Sequence, residues 1–480
     1  MGDERHLLRR LRHRRPFLAQ ISSCGGGGSA PREVPSSGAD HLSPKRHAAV
    51  ARRARWPQHG PPPALPEGSM PPVRRRVLPG LALALGAWPR RSARAQARAS
   101  AAELRIGAIY PSSGPFALLG DESFRGLELA VEARNRLGGV QGRPLRLVRA
   151  EAADAAQAGE AVRRLSAAGP ERVAAIFGTG ASVLSAAATQ AAELQSMPYF
   201  ELGATADSIT GRGFRHVFRT CPHAGDLALL SLRAVSQLVP ALWPGEGGEP
   251  RIAVLHEDGL CGRAVGGLQE AGLRGAPGLL GRFPYVPGGQ DLPAMVQRLR
   301  AGHARFLLHT GPAGEVLTLF RAMREAQWRP AMVIGAGAGY SLADTAQAMG
   351  RAFEGVMSAD VPPYAAAGPA GEAARELAEA YTGTYGHPPR SGHSLANCAG
   401  ATLCLEALHQ AGSLEAGRIR AAVLALDISA AEGPFGWGAA FDEAGQNRRA
   451  PLVLSQWQHG RLLPVFPAEA AAAAPRPELG

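Results

Sequence analysis

Residues 104–150 read LRIGAIYPSSGPFALLGDESFRGLELAVEARNRLGGVQGRPLRLVRA, and this stretch decides the fold. Its two ends, LRIGAIY and PLRLVRA, are short runs with the apolar residues typical of buried strands. Between them, apolar residues recur at helical spacing from Glu122 to Leu137. A strand, an amphipathic helix and a second strand in this order predict a βαβ unit whose strands are parallel.

The same alternation continues along the chain and restarts once. Further strand-like runs are VAAIFG (173–178), MPYFEL (197–202), RIAVLHE (251–257), ARFLLHT (304–310) and AMVIGA (331–336). Amphipathic helical stretches separate them, whereas residues 362–433 are mostly helical in pattern and contain no clear strand. The fold class that we predict is therefore α/β, with two doubly wound parallel-sheet lobes.

The charge of the chain does not indicate a nucleic-acid partner. The 480 residues carry a net charge of +12, but residues 1–100 alone contain 19 of the 52 Lys and Arg and 5 of the 40 Asp and Glu. The remaining 33 basic and 35 acidic residues nearly cancel. Since a basic patch is the electrostatic signature of nucleic-acid binding, we expect no nucleic acid as partner.

The N-terminal hundred residues have the pattern of a processed segment. Residues 1–69 show no apolar periodicity, which predicts a disordered or untranslated stretch with Met70 as the true start. Residues 70–95 combine basic PPVRRR, the apolar run VLPGLALALGAW and small residues at ARA, which is typical of a signal peptide. We expect a periplasmic protein, exported by the general or the twin-arginine route, without a lipid anchor because no Cys follows the apolar run.

Motifs for catalysis, metals and cofactors are absent from the sequence. Four cysteines follow the N-terminal segment, at 221, 261, 398 and 404, without CxxC or His at zinc spacing, so we expect buried thiols and no metal. A disulfide is the alternative for Cys398 and Cys404, since export would permit pairing. GAGAG (335–339) resembles part of a dinucleotide-binding motif, but its third Gly is off register. GxSxG, HExxH and GxxxxGK are missing, which predicts a protein that is not an enzyme and has no cofactor.

Four segments resemble the periplasmic leucine/isoleucine/valine-binding protein family, the type I solute-binding proteins of ABC transporters. They are residues 106–148, ELGATADSITGRGFRHVFRT (201–220), RIAVLHEDGLCGRAV (251–265) and EGPFGWGAAFDEAGQ (432–446). Their order and spacing over residues 104–466 carry the resemblance. It implies two lobes joined by a three-segment hinge, with residues 104–221 and 362–434 in the first lobe and 222–361 and 435–466 in the second. We expect residues 467–480 to be a disordered tail.

Two loops of the first lobe are candidate solute contacts. GTGAS (178–182) follows a strand and opens a helix, so its backbone N–H groups and the Ser182 hydroxyl can face an anion, although Ser182 as a simple helix N-cap is the alternative. The resemblance implies that Ser182 binds a ligand carboxylate. In GATA (203–206) it implies a carbonyl contact from Gly203 and a hydroxyl contact from Thr205, with a turn bearing a solvated Thr as the alternative.

The second lobe departs from the amino-acid-binding pattern of the family. Leu119 and Cys261 stand where the resemblance implies aromatic residues, and GAGAG lacks the acidic residue expected to pair with a ligand ammonium. Because a buried ammonium without a counter-charge costs several kcal/mol, a zwitterionic amino acid is disfavoured. We predict instead a small carboxylate, amide or urea-like solute. Cys261 and Tyr340 would line its far wall, with a place in the core as the alternative for Tyr340.

The resulting hypothesis is a monomeric solute receptor that does no covalent chemistry. Contacts made to both lobes exist only in the closed state, so the solute shifts the population toward that state, which a membrane permease then recognises. A ligand-sensing module of the same fold that serves a regulator is the main alternative. A nucleotide-cofactor enzyme, suggested by GAGAG, is a further one.

Overall fold

A computed structural model describes residues 102–169, 171–244, 250–276 and 278–477. The segment 1–69 and the signal peptide expected at 70–95 lie outside the described residues. The structural statements below concern the described part of the chain.

The first sheet contains five parallel strands in the order β2-β1-β3-β4-β5. They are β1 (Leu104–Ile109), β2 (Leu145–Ala150), β3 (Ile176–Gly178), β4 (Tyr199–Glu201) and β5 (Val217–Arg219). The helices between them are α1 (Ala117–Arg136), α2 (Ala155–Ser166) and α3 (Ser182–Leu194). The βαβ unit predicted for residues 104–150 is thus confirmed, and it supplies the two strands at one side of this sheet.

The second sheet is built from the later part of the chain. Its parallel strands are β6 (Ile252–Glu257), β7 (Leu279–Tyr285), β8 (Phe306–Thr310), β9 (Met332–Ala336) and β10 (Met357–Asp360). Its helices are α4 (Ala224–Leu242), α5 (Leu260–Leu273), α6 (Asp291–Ala301), α7 (Ala313–Glu325) and α8 (Ala343–Met349). Every residue of β6, β8, β9 and β10 is buried, as expected for parallel strands covered by helices on both faces.

After the second sheet, three helices return to cover the first. They are α9 (Gly368–Tyr385), α10 (Gly392–Gln410) and α11 (Ala416–Leu424), followed by the two-residue strands β11 (Asp427–Ile428) and β12 (Ala439–Ala440). A Cβ on Gly126 of α1 would lie 2.1 Å from the carbonyl oxygen of Ser394. The close packing of α1 on α10 therefore requires glycine at 126.

The chain finally returns to the second sheet as an antiparallel hairpin. Strands β13 (Val453–Gln458) and β14 (Arg461–Phe466) complete the order β14-β13-β10-β9-β8-β6-β7. This confirms the predicted fold class of two α/β lobes with parallel sheets, to which the hairpin adds two antiparallel strands.

The third crossing between the lobes comes later than the predicted boundary at 434/435. Trp437, Ala439 and Phe441 belong to the core of the first lobe, and Ala450 still packs against it. Leu452 is the next residue that packs on the core of the second lobe. The boundary predicted at 434/435 was too early because the apolar side chains of residues 435–450 still pack against the first lobe.

The C-terminal segment differs from the predicted disordered tail over residues 467–477. Here the Ala472 N–H donates to the Pro464 carbonyl at 2.8 Å. The side chains of Gln456 and Gln458, on β13, donate to the carbonyls of Arg476 and Ala474, both at 2.8 Å. Buried amide side chains on β13 thus hold a segment whose own composition suggests no structure.

Candidate solute-binding site

The N-terminus of α3 is open at the carboxyl end of β3. Within the described residues, Ala181 is the N-cap and no side chain hydrogen bonds to the amides of the first turn. The Ser182 hydroxyl instead accepts a hydrogen bond from the Ala206 N–H at 3.2 Å, which contradicts its interpretation as an N-cap. The first-turn N–H groups, which have no intrahelical partner, are available to an anionic or carbonyl oxygen.

The loop that follows β4 lies directly against this helix start. A Cβ on Gly203 would approach the Gly180 Cα to 3.1 Å, so the two backbones touch. Thr205 is half-buried, and its hydroxyl oxygen lies 3.3 Å from the Cys261 sulfur. The structure therefore brings Ser182, Gly203 and Thr205 together on the first lobe, with Cys261 of the second lobe opposite.

Glu201, at the end of β4, is an element of the site that sequence reasoning missed. Its carboxylate is fully buried and accepts hydrogen bonds from the N–H groups of both loops and from the Ser185 hydroxyl. Burial raises the pKa of Glu201, although these hydrogen bonds oppose the shift. An acidic residue within the apolar run MPYFEL was the signal that could have revealed it, because a charged residue is rarely buried without partners.

Arg219 is the partner of Glu201 in the register between β5 and β4. Its buried guanidinium donates to the carbonyls of Ala204 at 3.2 Å and Ala206 at 2.7 Å, the residues on either side of Thr205. It also donates to Gln446 at 2.6 Å, next to the third crossing. A single cation thus links the Thr205 loop to the hinge.

On the second lobe, Cys261 lies in the first turn of α5. Burial raises the pKa of Cys261 to about 12, so its side chain is a neutral thiol. The preceding strand end, Glu257, accepts from the amides of Gly259 and Gly262, the latter at 2.7 Å. The Glu257 carboxylate thus binds amides at the start of α5, and it has these partners in the absence of any solute.

Tyr340 lies in the hydrophobic core of the second lobe. Its hydroxyl hydrogen bonds to Nδ1 of His309, whose Nε2 lies 2.9 Å from the Tyr285 hydroxyl. Burial lowers the pKa of His309 to about 3, so the imidazole is neutral. These contacts correspond to the core alternative for Tyr340, while Leu119 is half-buried in the first turn of α1.

A buried ion pair joins the two lobes beside the second crossing. Asp360 ends β10, and its carboxylate lies 3.0 Å from Nε2 of His393 on α10 and accepts from the Ser341 hydroxyl at 2.7 Å. Burial disfavours the imidazolium, but the Asp360 charge outweighs it and raises the pKa of His393. Burial likewise opposes ionisation of Asp360, but His393 and the hydrogen bonds hold its pKa below the ordinary value.

Cys221, Cys261, Cys398 and Cys404 are all free thiols. Among the described residues, no three His, Cys, Asp or Glu side chains come close enough to hold a metal ion. No helix of the described part is long and apolar enough to cross a membrane.

Comparison with known proteins decides the family. The family model described as "Periplasmic binding protein" matches residues 103–461, about three quarters of the chain. The chain belongs to the periplasmic binding protein family. Within it, the resemblance to the Leu/Ile/Val-binding proteins is confirmed, since the chain is 40% identical over 380 residues to the Leu/Ile/Val-binding protein homolog 7 of Brucella suis. The match covers 78% of this chain and 94% of the relative.

Solved structures of other periplasmic binding proteins share the fold. The branched-chain amino acid transporter substrate-binding protein of Streptococcus pneumoniae, in complex with isoleucine, superposes with a TM-score of 0.63 at 18% identity, covering 75% of this chain and 98% of that one. A solute-binding protein from R. palustris, in complex with benzoate, gives 0.66 at 17%, covering 78% and 98%. The protein is thus a solute-binding protein of an ABC transporter, from a family of non-enzymatic binding proteins.

Proposed function

We propose that this protein binds a small carboxylate, amide or urea-like solute between its lobes and, on closing, delivers it to the transporter's permease in the periplasm. The observation that carries the proposal is the open N-terminus of α3 beside the Ser182 and Thr205 hydroxyls. These are hydrogen-bond donors around one point, and the helix dipole adds partial positive charge there. A carboxylate or carbonyl oxygen complements them.

The carboxylates at the strand ends favour a solute without an ammonium group. Glu201, Glu257 and Asp360 end β4, β6 and β10. Each accepts at least two hydrogen bonds from the protein itself, and Asp360 also faces His393. An ammonium brought into the closed site would need one of them to exchange these partners, at a cost of several kcal/mol. A neutral amide or a simple carboxylate needs no such exchange.

The relatives support a site of this class without naming the solute. The R. palustris protein holds benzoate, a carboxylate that has no ammonium, in the same fold. The S. pneumoniae protein holds isoleucine, and the Brucella relative is named for leucine, isoleucine and valine. Branched-chain amino acids are therefore the competing ligands in any test.

Isothermal titration calorimetry with benzoate, short-chain carboxylates, acetamide, urea and leucine tests the proposal. We expect one-to-one binding of at least one of the first four, with compaction in small-angle X-ray scattering, because closure buries the solute. Submicromolar binding of leucine, with no heat from the other compounds, would contradict the proposed solute class. Chemical conversion of any bound compound would contradict a transport receptor.

Matched variants assign the contacts. Ser182→Ala and Thr205→Val should each weaken binding about five- to tenfold, because one net hydrogen bond contributes about 1 kcal/mol. Ser236→Ala and Thr382→Val remove exposed hydroxyls that donate to carbonyls of their own helices, and they should leave affinity unchanged. Equal effects on affinity in all four variants would show that the solute does not contact the Ser182 and Thr205 loops.

A further inference from the structure

We propose that Glu201 is a positioning residue, whose buried carboxylate acts as a built-in anion that holds the Ser182 and Thr205 loops in binding geometry. Because the Glu201 carboxylate already binds these loop amides, a solute carboxylate cannot bind them. This inference rests on the proposed function for its binding consequence, but the anchoring itself is a property of the solute-free protein.

The Glu201 carboxylate accepts five hydrogen bonds from the described residues. Its Oε1 accepts from the N–H groups of Gly180 at 3.2 Å, Gly203 at 2.9 Å and Ala204 at 2.7 Å. Its Oε2 accepts from the Thr179 N–H at 2.9 Å and the Ser185 hydroxyl at 2.5 Å. Only an ionised carboxylate can accept from all of these donors at once, so the loops form an anion-binding nest filled by the protein's own side chain.

Apart from Glu201, the Ala206 N–H joins the two loops by donating to the Ser182 hydroxyl, and their backbones pack directly on each other. Gly178 and Gly180 have φ of +134° and +84°, and the Gly180 backbone packs directly on Gly203 without an intervening side chain. Four N–H dipoles that converge in a buried space repel one another and would be unsatisfied without an acceptor. The Glu201 carboxylate removes both penalties by bridging the loops.

The anchored amides lie next to the solute-facing groups. Gly180 precedes Ser182 by two residues, and Ala204 directly precedes Thr205. Arg219 fixes the same loop from its carbonyl side, through Ala204 and Ala206. The Thr205 hydroxyl is thus positioned by a buried anion acting on N–H groups and a buried cation acting on C=O groups.

The arrangement also determines which donors remain for the solute. With the amides of 179, 180, 203 and 204 engaged, the first turn of α3 and the Ser182 and Thr205 hydroxyls are among the donors that remain in this region. One carboxylate or amide oxygen fits these donors. A second anionic group of the same solute would meet the Glu201 charge and be repelled.

Glu201→Ala and Glu201→Gln test the anchoring without any solute. The alanine variant leaves a space of carboxylate size lined by donors, so formate should bind it saturably, raise its unfolding midpoint and shift the amide NMR signals of Gly180 and Gly203. Glu201→Gln fills the space and places an NH2 group against the donors, so formate should not rescue it. Formamide at the same concentration shows whether a neutral molecule that fills the space is sufficient. Sodium chloride at the same concentration controls for ionic strength.

Glu193→Ala is the matched control variant. Glu193 lies at the other end of α3, and its carboxylate also accepts backbone N–H bonds, from Arg215 and His216, but it is far along the helix from the site. Formate should change neither its unfolding midpoint nor its spectrum in the Gly180 region. A folded Glu201→Ala protein that gives no formate response would overturn the proposal. If that variant does not fold, refolding in formate and the Glu201→Gln variant decide the same question.

Benzoate affinity supplies the binding readout. We expect Glu201→Gln to weaken benzoate binding about tenfold or more, which corresponds to one or more buried unsatisfied donors. Wild-type affinity in Glu201→Gln would overturn the positioning role. If the wild-type protein binds neither benzoate nor the other solutes, the proposed function fails, while the formate response still decides whether Glu201 anchors the loops.

Discussion

The ends of β4 and β5 on the first lobe and of β7, β8 and β9 on the second are organised by different chemistry. On the first lobe, the buried ions Glu201 and Arg219 bind the backbone of the solute loops. On the second lobe, the neutral groups of Tyr285, His309 and Tyr340 hydrogen bond to one another within an aromatic core. Under the proposed function, the first lobe would offer a binding surface whose loops are held by buried ions, whereas the second would supply a lobe whose core is held by neutral groups.

This comparison has a physical basis in the cost of burial. A buried ion is tolerated only when several groups solvate it, so it orders those groups strongly. A neutral hydroxyl and imidazole chain requires fewer partners and costs less to interrupt. The first lobe should therefore be more sensitive to the loss of its charges than the second is to the loss of its hydroxyls.

Removal of the first lobe's cation should have the largest effect. Arg219→Met should lower the free energy of unfolding by about 3 kcal/mol or more, because buried acceptors lose their donor and Glu201 loses a nearby positive charge. Urea denaturation at neutral pH measures it. Arg420→Met, which removes an Arg that donates to two carbonyls of the same lobe but is paired with the exposed Glu443, should cost less than 1 kcal/mol. Similar losses of unfolding free energy in both variants would show that the buried Arg219 is no more important for stability than the exposed ion pair of Arg420.

Acidification should reveal the neutral histidine of the second lobe. The folded-state pKa of His309, about 3, lies below its unfolded value near 6.5, so only the unfolded state takes up this proton as pH falls from 6.5 to 3. Its contribution to stability therefore declines by about 1.4 kcal/mol per pH unit. The loss of wild-type stability between pH 6.5 and 5 should exceed that of His309→Gln by about 2 kcal/mol. A pH-dependent loss in His309→Gln as large as that of the wild type would contradict the neutral buried imidazole.

The opposite sign is expected for His393, which faces Asp360 at the second crossing. Its folded-state pKa is raised, so its stabilising contribution is complete below pH 6.5 and is lost as pH rises through the folded-state value. Asp360, with a lowered pKa, contributes above about pH 4 and loses its contribution on acidification. Histidine NMR titration should show His393 still protonated above pH 6.5 while His309 stays neutral down to pH 4. A His393 signal that titrates below pH 6.5 would show that the Asp360 carboxylate does not stabilise the protonated imidazole of His393.

The Tyr340 hydroxyl, in the core of the second lobe, should have a smaller effect. Tyr340→Phe should lower the free energy of unfolding by about 1–2 kcal/mol because Nδ1 of His309 loses its partner, while benzoate affinity stays within twofold. Urea denaturation measures the change in stability, and calorimetry on the same preparation measures the change in benzoate affinity. A tenfold loss of affinity at unchanged stability would instead place Tyr340 on the solute-facing wall.

The contact between the lobes should have the smallest effect. Cys261→Ala removes a thiol that lies 3.3 Å from the Thr205 hydroxyl, and thiols are weak hydrogen-bonding groups. We expect a change of about 0.5 kcal/mol or less in unfolding free energy, and a change in solute affinity of less than threefold. An effect as large as that of Thr205→Val would make Cys261 a principal solute contact.

The sequence alone determined the order of strands and helices and the places where loops meet. Strand and helix periodicities record which face of each segment is buried, so the βα alternation, GTGAS and GATA could be recognised without a structure. The lack of a carboxylate in GAGAG could be recognised in the same way. The third crossing and the C-terminal segment were misjudged because their apolar and backbone groups find partners only in the assembled lobes.

Tertiary structure decided how the charges are used. The amides around Glu201 come from two separate loops, Arg219 reaches Gln446 far along the chain, and Asp360 meets His393 across a crossing between the lobes. Local pattern reports burial but not partners, because a buried ion is stabilised by whichever donors or acceptors the packing of distant segments brings to it. The sequence therefore indicated where the candidate site lies, and packing determined which of its charged groups are already engaged by the protein itself.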